Sequence, residues 1–518
     1  MTSRKAFISV YNKEGIVEFA QKLREFHGYE LISTGGTYDA LKENGIEVTE
    51  ISEITGFREL IHGKVKSLHP KIHAGILASR TAQDEVNELK ENAIDFIDIV
   101  VVNLYPFEKA SKNAAMEVDE LYEYIDIGGV ALLRAAAKNF FHVTSVYSAD
   151  LYEKVLEDLD ENQGNTTYEL RKELAVKTFA YTSAYDALIS KKLTEKLFDE
   201  EDRELLPERL SLNLEKIKDL RYGENPHQQA AIYKTPETLD YEVLQGKELS
   251  YNNMVDITSA VDIISEFVDV PAACVIKHNN PCGVALGKNI TDAYYKAHKC
   301  DPISAFGGII GLNETVTPEI AKHASQMFLE VIVAPDFTEE ALEIFATKKN
   351  LRLVKLPFSF LEYKKAQSYT IKDLPIGTLV QSVDNIELSA DNFKVVTSCK
   401  PTEKNVEDMV FAWKVVKHVG SNAIVIVKDL KTVGIGMGQT SRIASMEIAL
   451  NQACDETKKA VIASDGFFPA VDNIHAAAQA RIGAIIQPGG SIKDKDVIKE
   501  SEKYKIPMIT TGVRHFKH

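Results

Sequence analysis

Between residues 5 and 147, short apolar runs rich in β-branched side chains alternate with stretches of helical periodicity, and no other feature narrows the fold as far. Residues 7–10, 30–33, 97–103 and 143–147 read as strands, and residues 14–26, 38–44, 82–91 and 130–138 as helices. This alternation predicts an α/β domain with a mostly parallel sheet and helices outside it, because a crossover helix returns the chain to the edge where the next strand starts. Residues 150–198 read as a helical linker broken at Asn162-Gln163-Gly164. The charged run 199–203, before Leu205-Leu206-Pro207, marks the best domain boundary. A chain of 518 residues is too long for one core, so a second domain is expected over residues 200–518, after a first over 1–199.

The second βα series carries signs of a diverged duplication. One strand runs into Lys277 and is followed by Gly283-Val284-Ala285-Leu286-Gly287; another runs into Lys428 and is followed by Val433-Gly434-Ile435-Gly436. Asp301 with Phe306-Gly307 has a counterpart in Asp465 with Phe467-Phe468, and the strands at 330–335 and 484–488 both end in proline. Two similar α/β units are therefore expected, at roughly 200–356 and 406–518, with residues 357–405 as an irregular connector.

Composition excludes several function classes. The formal charge of −16 disfavours non-specific binding to nucleic acid or anionic membranes. No apolar run approaches the roughly 18 residues that span a bilayer. The apolar run after Met1-Thr2-Ser3-Arg4-Lys5 is too short for a signal-peptide core. Five scattered cysteines without a CxxC pair match neither a disulfide frame nor a zinc site and point to a reducing cytoplasm.

In the first domain, Thr34-Gly35-Gly36-Thr37 lies between a strand and a helix, where helix-start amides and hydroxyls suit a phosphate; a plain turn with an N-cap threonine explains it as well. Residues 62–73 hold His62, Lys64, Lys66, His69, Lys71 and His73, dense enough in an acidic chain to suggest an anion pocket, with a solvated basic loop as the alternative, and Leu68-His69-Pro70 argues against a regular helix through them. Asn103-Leu104-Tyr105-Pro106-Phe107 follows an apolar strand, and Asp126-Ile127-Gly128-Gly129 precedes a helix that ends near Lys138. On loops at one sheet edge, Tyr105, Asp126 and the lysines would form a proton-moving, oxyanion-binding set needing no metal. Singly, each has a structural explanation: a core-edge ring, a helix cap, a dipole partner.

In the second domain, the strand before Lys277-His278-Asn279-Asn280-Pro281-Cys282-Gly283 would hand an ammonium and an imidazole to its carboxyl end, the ligand edge of open α/β sheets, with Cys282 and Gly283 turning the chain away. Such a pair can stabilise an oxyanion while moving a proton; a polar loop whose histidine caps backbone groups is the plainer alternative. Arg221-Tyr222-Gly223-Glu224-Asn225-Pro226-His227-Gln228 combines an anion-binding fork with a stacking ring. Gly436-Met437-Gly438-Gln439-Thr440-Ser441-Arg442 suggests an anion nest, Pro488-Gly489-Gly490-Ser491 a similar turn, and Arg514-His515 a last strand-end segment. A zinc deaminase is disfavoured, because Pro281-Cys282 lacks the second cysteine of PCxxC and no HxE lies upstream in the domain.

Together these motifs resemble, nearly end to end, the bifunctional enzymes of purine biosynthesis that combine AICAR transformylase with IMP cyclohydrolase. The resemblance implies a methylglyoxal-synthase-like first domain and a transformylase domain of two cytidine-deaminase-like units without zinc. It implies formyl transfer from 10-formyltetrahydrofolate to AICAR, then dehydrative closure of FAICAR to IMP, with no catalytic metal, in a cytoplasmic homodimer that shares its transformylase pocket across the interface. By resemblance His278 is the base, and Lys277 and Asn280 orient and polarise the folate-side atoms. Arg221, Tyr222 and Arg514 would hold AICAR, near Gly307, Asn422 and Phe467, and Arg442, Ile443, Asp472 and Ser491 would complete the pocket. Glu330 stands where many relatives have Asp. Lys66, Tyr105, Asp126 and Lys138 would close the ring, with Lys138 moving the proton. Tyr11, Asn12, Lys13, Thr34, Gly35, Gly36, Thr37, Lys64, Ser67 and Asn103 would grip the nucleotide, with Lys64 in place of the common Arg. A methylglyoxal-synthase-like phosphate sensor, the competing reading, would not require Tyr105, Asp126 and Lys138 together.

Overall fold

The computed structural model describes residues 4–113, 115–235, 238–366, 368–388 and 390–518, with the side chains of His62, Glu200, Ala366 and Ala390 outside that set. The opening Met1-Thr2-Ser3 and the His62 imidazole, both part of the sequence reading, thus lie outside the described residues. The chain divides into two compact units, Met1–Asn213 and Leu214–His518. Among the described residues, no helix is long and apolar enough to cross a membrane.

The first unit holds strands β1 (Arg4–Val10), β2 (Tyr29–Ser33), β3 (Thr49–Glu50), β4 (Ile99–Asn103) and β5 (Thr144–Val146). They pair in parallel in the order β3-β2-β1-β4-β5. The order reverses between β1 and β4, and the crevice beyond their carboxyl ends is where such sheets take ligands. Helices α1 (Ile16–Glu25), α2 (Gly35–Glu43), α3 (Pro70–Leu77), α4 (Gln83–Glu91), α5 (Gly128–Lys138), α6 (Tyr152–Glu161) and α7 (Tyr168–Leu197) cover the sheet. One face buries Ile8 and Val101 against Phe19, Leu23 and Leu159; the other buries Phe7 and Val100 against Ile72, Leu132 and Leu133. Helix α2 starts at Gly35, three residues before the periodicity suggested, so the glycines belong to its first turn.

The second unit contains the same ten-element sequence twice. The first copy is β6 (Glu242–Gln245), α8 (Tyr251–Ile264), β7 (Ala272–Lys277), β8 (Asn280–Leu286), α9 (Ile290–Cys300), β9 (Ile309–Leu312), α10 (Pro318–Ala324), β10 (Val331–Ala334), α11 (Glu339–Phe345) and β11 (Arg352–Lys355). The second is β12 (Lys394–Val395), α12 (Glu403–Val416), β13 (Ile424–Lys428), β14 (Lys431–Gly436), α13 (Arg442–Ala453), β15 (Val461–Ser464), α14 (Asp472–Gln479), β16 (Ala484–Gln487), α15 (Asp494–Tyr504) and β17 (Met508–Thr510). Both copies share one twelve-stranded sheet, in the order β12-β17-β16-β15-β13-β14-β8-β7-β9-β10-β11-β6. They meet where β8 runs antiparallel to β14, with Ala285 opposite Lys431. The repeat extends to the helix starts, since α8 and α12 both open with capping boxes, Ser250 with Asn253 and Thr402 with Asn405. The stretch expected to be an irregular connector instead carries a helix, Phe360–Ala366, and a hairpin, Tyr369–Leu374 with Gly377–Ser382.

Two expectations about the Lys277 segment are corrected. The chain does not turn at Cys282 and Gly283, because both lie inside β8, where a bulge between Pro281 and Gly283 accommodates the proline. Gly283 is small because a Cβ there would strike the Ala297 carbonyl of α9. The turn is His278-Asn279, both left-handed at φ +53° and +63°, a two-residue hairpin of the kind that matches strand twist. The second correction concerns the edge. β7 is antiparallel to β9, and β9 to β11 are mutually parallel, so Lys277 emerges at their amino edge. Because the halves join antiparallel, this is also the edge where the parallel strands β15, β16 and β17 end.

Candidate active sites

At the carboxyl edge of the five-stranded sheet, side chains from four loops make a continuous ring of contacts. Asn103, ending β4, accepts the backbone amides of Tyr11 (2.6 Å) and Asn12 (2.9 Å) and donates to the Asn12 carbonyl (3.1 Å). The Tyr11 ring meets Tyr105 edge-on, with centroids 5.5 Å apart. The amides of Tyr105 and Gly129 point at the Asp126 carboxylate, Gly129 at 2.7 Å. Ser67 lies against Gly128, where a Cβ would come within 2.7 Å of its hydroxyl. Lys66 lies over Gly35 at the start of α2, a left-handed glycine at φ +53° whose added Cβ would run into the ammonium. Lys13 completes the ring, donating to the carbonyls of Val10 and Tyr11.

The electrostatics suit an anion beside a proton-transfer group. Burial, then the neighbouring Lys66 charge, hold the Lys13 ammonium below its ordinary pKa. Lys66 over the helix start, with the Lys13 charge near it, is a candidate phosphate cradle, and the Glu59 carboxylate lies 3.7 Å from the Lys66 ammonium. The Thr34 hydroxyl beside them is buried without a hydrogen-bond partner, whereas the Thr37 hydroxyl is spent on both backbone groups of Val10. Burial raises the Asp126 carboxyl against the opposing pull of the two amides, and burial followed by Asp126 and Tyr11 raises the Tyr105 phenol. A carboxyl raised by burial, next to a phenol, is a candidate proton-transfer group.

Other members of the sequence-read set lie elsewhere. Lys64 pairs with Glu123 at 2.6 Å and sits over the Tyr122 ring, away from Gly35. His69 caps α3 by accepting the Lys71 amide, and the Lys71 ammonium donates to the Ile54 carbonyl. Lys138 ends α5, whose start carries the Asp126 loop, so about 15 Å of helix separates it from the ring. Within this chain it is not brought to that edge. Sequence reading missed Tyr185 on α7, whose hydroxyl accepts the Asp126 amide and donates to the Tyr124 carbonyl, both at 2.9 Å. The four-residue spacing of Tyr181 and Tyr185 was the available signal.

In the second unit, one sheet edge collects the sequence-read residues from Lys277 to Arg514, which leave strand ends far apart in the chain. Lys277 donates to the Phe306 carbonyl at 2.8 Å, and Gly307 follows at φ +75°. His278 is exposed at the hairpin tip. Asn280 accepts the Gly420 amide at 2.9 Å and so ties the tip to the loop before β13. On that loop Asn422 accepts from Arg442 and donates to the Gln439 carbonyl, both at 2.8 Å. Arg442 is buried and also donates to Ser464 (2.9 Å) and the Asp465 carboxylate. Asp465 accepts the Ser421 hydroxyl at 2.6 Å, and its carbonyl accepts the His515 amide. The neighbouring Arg514 stacks over Phe516 with 4.6 Å to the ring centroid.

Phe467 is partly exposed beside this network, and Ile443 packs on the core below it. Asp472 accepts from Asn473 at the start of α14, and the Ser491 hydroxyl accepts the Lys493 amide. Glu330, just before β10, is paired with buried Arg352 at 2.6 Å. Arg221 donates to the Tyr222 hydroxyl at 2.9 Å, and their turn reaches the start of α8 through Asn252 and the Glu224 carbonyl. Asp465, the anchor under Arg442, was legible only as part of a repeat, since nothing local marks it as an ion-pair partner.

Two family models together match most of the chain. The family model described as AICARFT/IMPCHase bienzyme matches residues 136–452, and that of the MGS-like domain matches residues 15–131. The bifunctional purine biosynthesis protein PurH of Thermoanaerobacter sp. (strain X514) is 49% identical over 520 residues, covering 100% of both chains. Its namesake in Caldicellulosiruptor saccharolyticus is 49% identical over 526 residues, again covering 100% of both. That of Listeria monocytogenes serotype 4b (strain F2365) is 48% identical over 520 residues, covering 99% of this chain and 100% of its own. With an MGS-like domain ahead of a duplicated α/β unit and full-length likeness to these relatives, the chain belongs to the AICARFT/IMPCHase bienzyme family, the AICAR formyltransferase and IMP cyclohydrolase of purine biosynthesis.

Proposed function

We propose that formyl transfer occurs at the His278 hairpin tip and ring closure at the carboxyl edge of the five-stranded sheet. The formyl donor is 10-formyltetrahydrofolate. The AICAR amine is a weak nucleophile, because its lone pair is delocalised into the imidazole ring. His278 accepts its proton as the carbon–nitrogen bond forms and returns a proton to the departing folate nitrogen as the tetrahedral adduct collapses. Lys277, steadied by the Phe306 carbonyl, stabilises the oxyanion. Asn280 holds the loop carrying Asn422, and Arg221, Tyr222, Phe467 and Arg514 grip the substrates. The observation that carries this reading is the convergence of Lys277, His278, Asn280, Asn422 and Arg514 on one sheet edge from separate strand ends.

In ring closure the carboxamide nitrogen of FAICAR attacks the formyl carbon, and its proton passes through Asp126 to the former formyl oxygen; that oxygen then leaves as water with a second proton, the one lost from the formamide nitrogen as the ring C=N bond forms. Lys13, Lys66 and the first turn of α2 hold the phosphate. A homodimer is supported by the exposed Leu205, Leu206, Leu210, Leu212 and Leu214, and a cytoplasmic location by five free cysteines.

Two assays test this function. Purified protein given AICAR and 10-formyltetrahydrofolate should form IMP, and given FAICAR alone it should form IMP with folate omitted. Absence of IMP in both would end the proposal. Lys66→Ala should slow ring closure by about 10²-fold, the scale for losing one preorganised charge, and leave formyl transfer unchanged. An unchanged closure rate would remove Lys66 from the site.

A further inference from the structure

We propose that Asp256 is a positioning residue for formyl transfer: its carboxylate, fixed on α8, sets the backbone of the hairpin tip that aims the His278 imidazole. This rests on the reading of His278 as the base. Asp256 accepts the Asn279 amide at 2.6 Å and the His278 amide as well. Both tip residues are left-handed, and neither is the glycine that would adopt that conformation freely. Something must hold them there. Ser259, on the same face of α8 as Asp256, adds a hydrogen bond to the Asn279 side chain, and Asn280 fastens the outer side to Gly420. The tip is therefore pinned from below and from one side, which leaves the imidazole exposed.

The duplication shows how much of this clamp belongs to the fold. Asp408 stands at the same position past its N-cap, Thr402, as Asp256 does past Ser250. It accepts the amides of Asp429 (3.2 Å) and Leu430 (2.7 Å), the two left-handed residues of the β13–β14 tip. That tip lies at the opposite sheet edge and bears no imidazole. The same clamp thus occurs once with a base on it and once without, and the second copy is a built-in control.

The full-length chain and its Asp256→Asn, Asp256→Ala and Asp408→Ala variants should be compared by thermal unfolding and by steady-state formyl transfer. Asp256→Ala should lower kcat by about 10- to 100-fold with KM for AICAR little changed, the signature of a misaimed group. Asp256→Asn should fall between, because its amide oxygen can still accept one tip amide. Asp408→Ala should lower Tm comparably but keep kcat. A wild-type kcat in Asp256→Ala, or an equal kcat loss in Asp408→Ala at equal Tm, overturns the assignment. If Asp256→Ala does not fold, Asp256→Asn decides, and a wild-type kcat there is equally fatal. If His278→Ala transfers formyl normally, the base and the clamp both fall; if it is impaired while the Asp256 variants are not, only the clamp falls.

Discussion

His278→Ala is expected to lower formyl transfer by roughly 10²–10⁴-fold, the range for losing a positioned acid–base group, while supplied FAICAR still closes at the wild-type rate. The size of the loss follows from the surroundings of the imidazole. Lys277 is engaged with the Phe306 carbonyl, Asn280 with the Gly420 amide, and Asp256 with the backbone beneath the tip. None of these groups is free to take the proton from a weakly nucleophilic amine. The selectivity follows from the division of the chain: the ring-closing residues lie within Met1–Asn213, the hairpin within Leu214–His518, and each unit buries its own core. Separate kinetics for the two half-reactions make the measurement. An equal fall in both rates would contradict two sites, and normal formyl transfer would contradict His278 as the base.

Arg442→Met is expected to destabilise the second unit by about 3–5 kcal/mol, the cost of removing one partner from a buried ion pair. By resemblance Arg442 belonged to the substrate pocket, yet its guanidinium is turned inward. It donates to Ser464, Asn422 and the Asp465 carboxylate, with the Arg442 side chain 5% exposed and that of Asp465 0%. Without it the carboxylate keeps the Ser421 hydroxyl but no cation. Adding Asp465→Asn should restore part of the stability, because the second change removes the stranded charge. Thermal unfolding, followed through the transition of the second unit, reads both variants. A wild-type Tm combined with lost AICAR binding would return Arg442 to the ligand.

The sequence by itself determined four strands of the first unit and the repeat in the second, and it offered a set of candidate residues; the short β3 and the helix α3 behind Pro70 were not legible in it. Periodicity decided where β1, β2, β4 and β5 lie to within about three residues, because a strand buried on both faces must be apolar along its length. Two lysines two residues apart, Lys64 and Lys66, belong to one basic run, and nothing local tells their surroundings apart. Only the tertiary structure separated them, by bringing Glu123 to within 2.6 Å of the first, and Gly35 with the more distant Glu59, at 3.7 Å, to the second. It likewise left Lys138 at the far end of α5, because side chains on one helix are spaced by its rise whatever chemistry they share. The Lys277 segment shows the same division. Its strand was legible, whereas the left-handed His278-Asn279 turn and the edge it faces were not. Strand direction depends on the pairing of β7 with β9 and of β8 with β14, more than thirty and about one hundred and fifty residues along the chain, and no local pattern records those pairings.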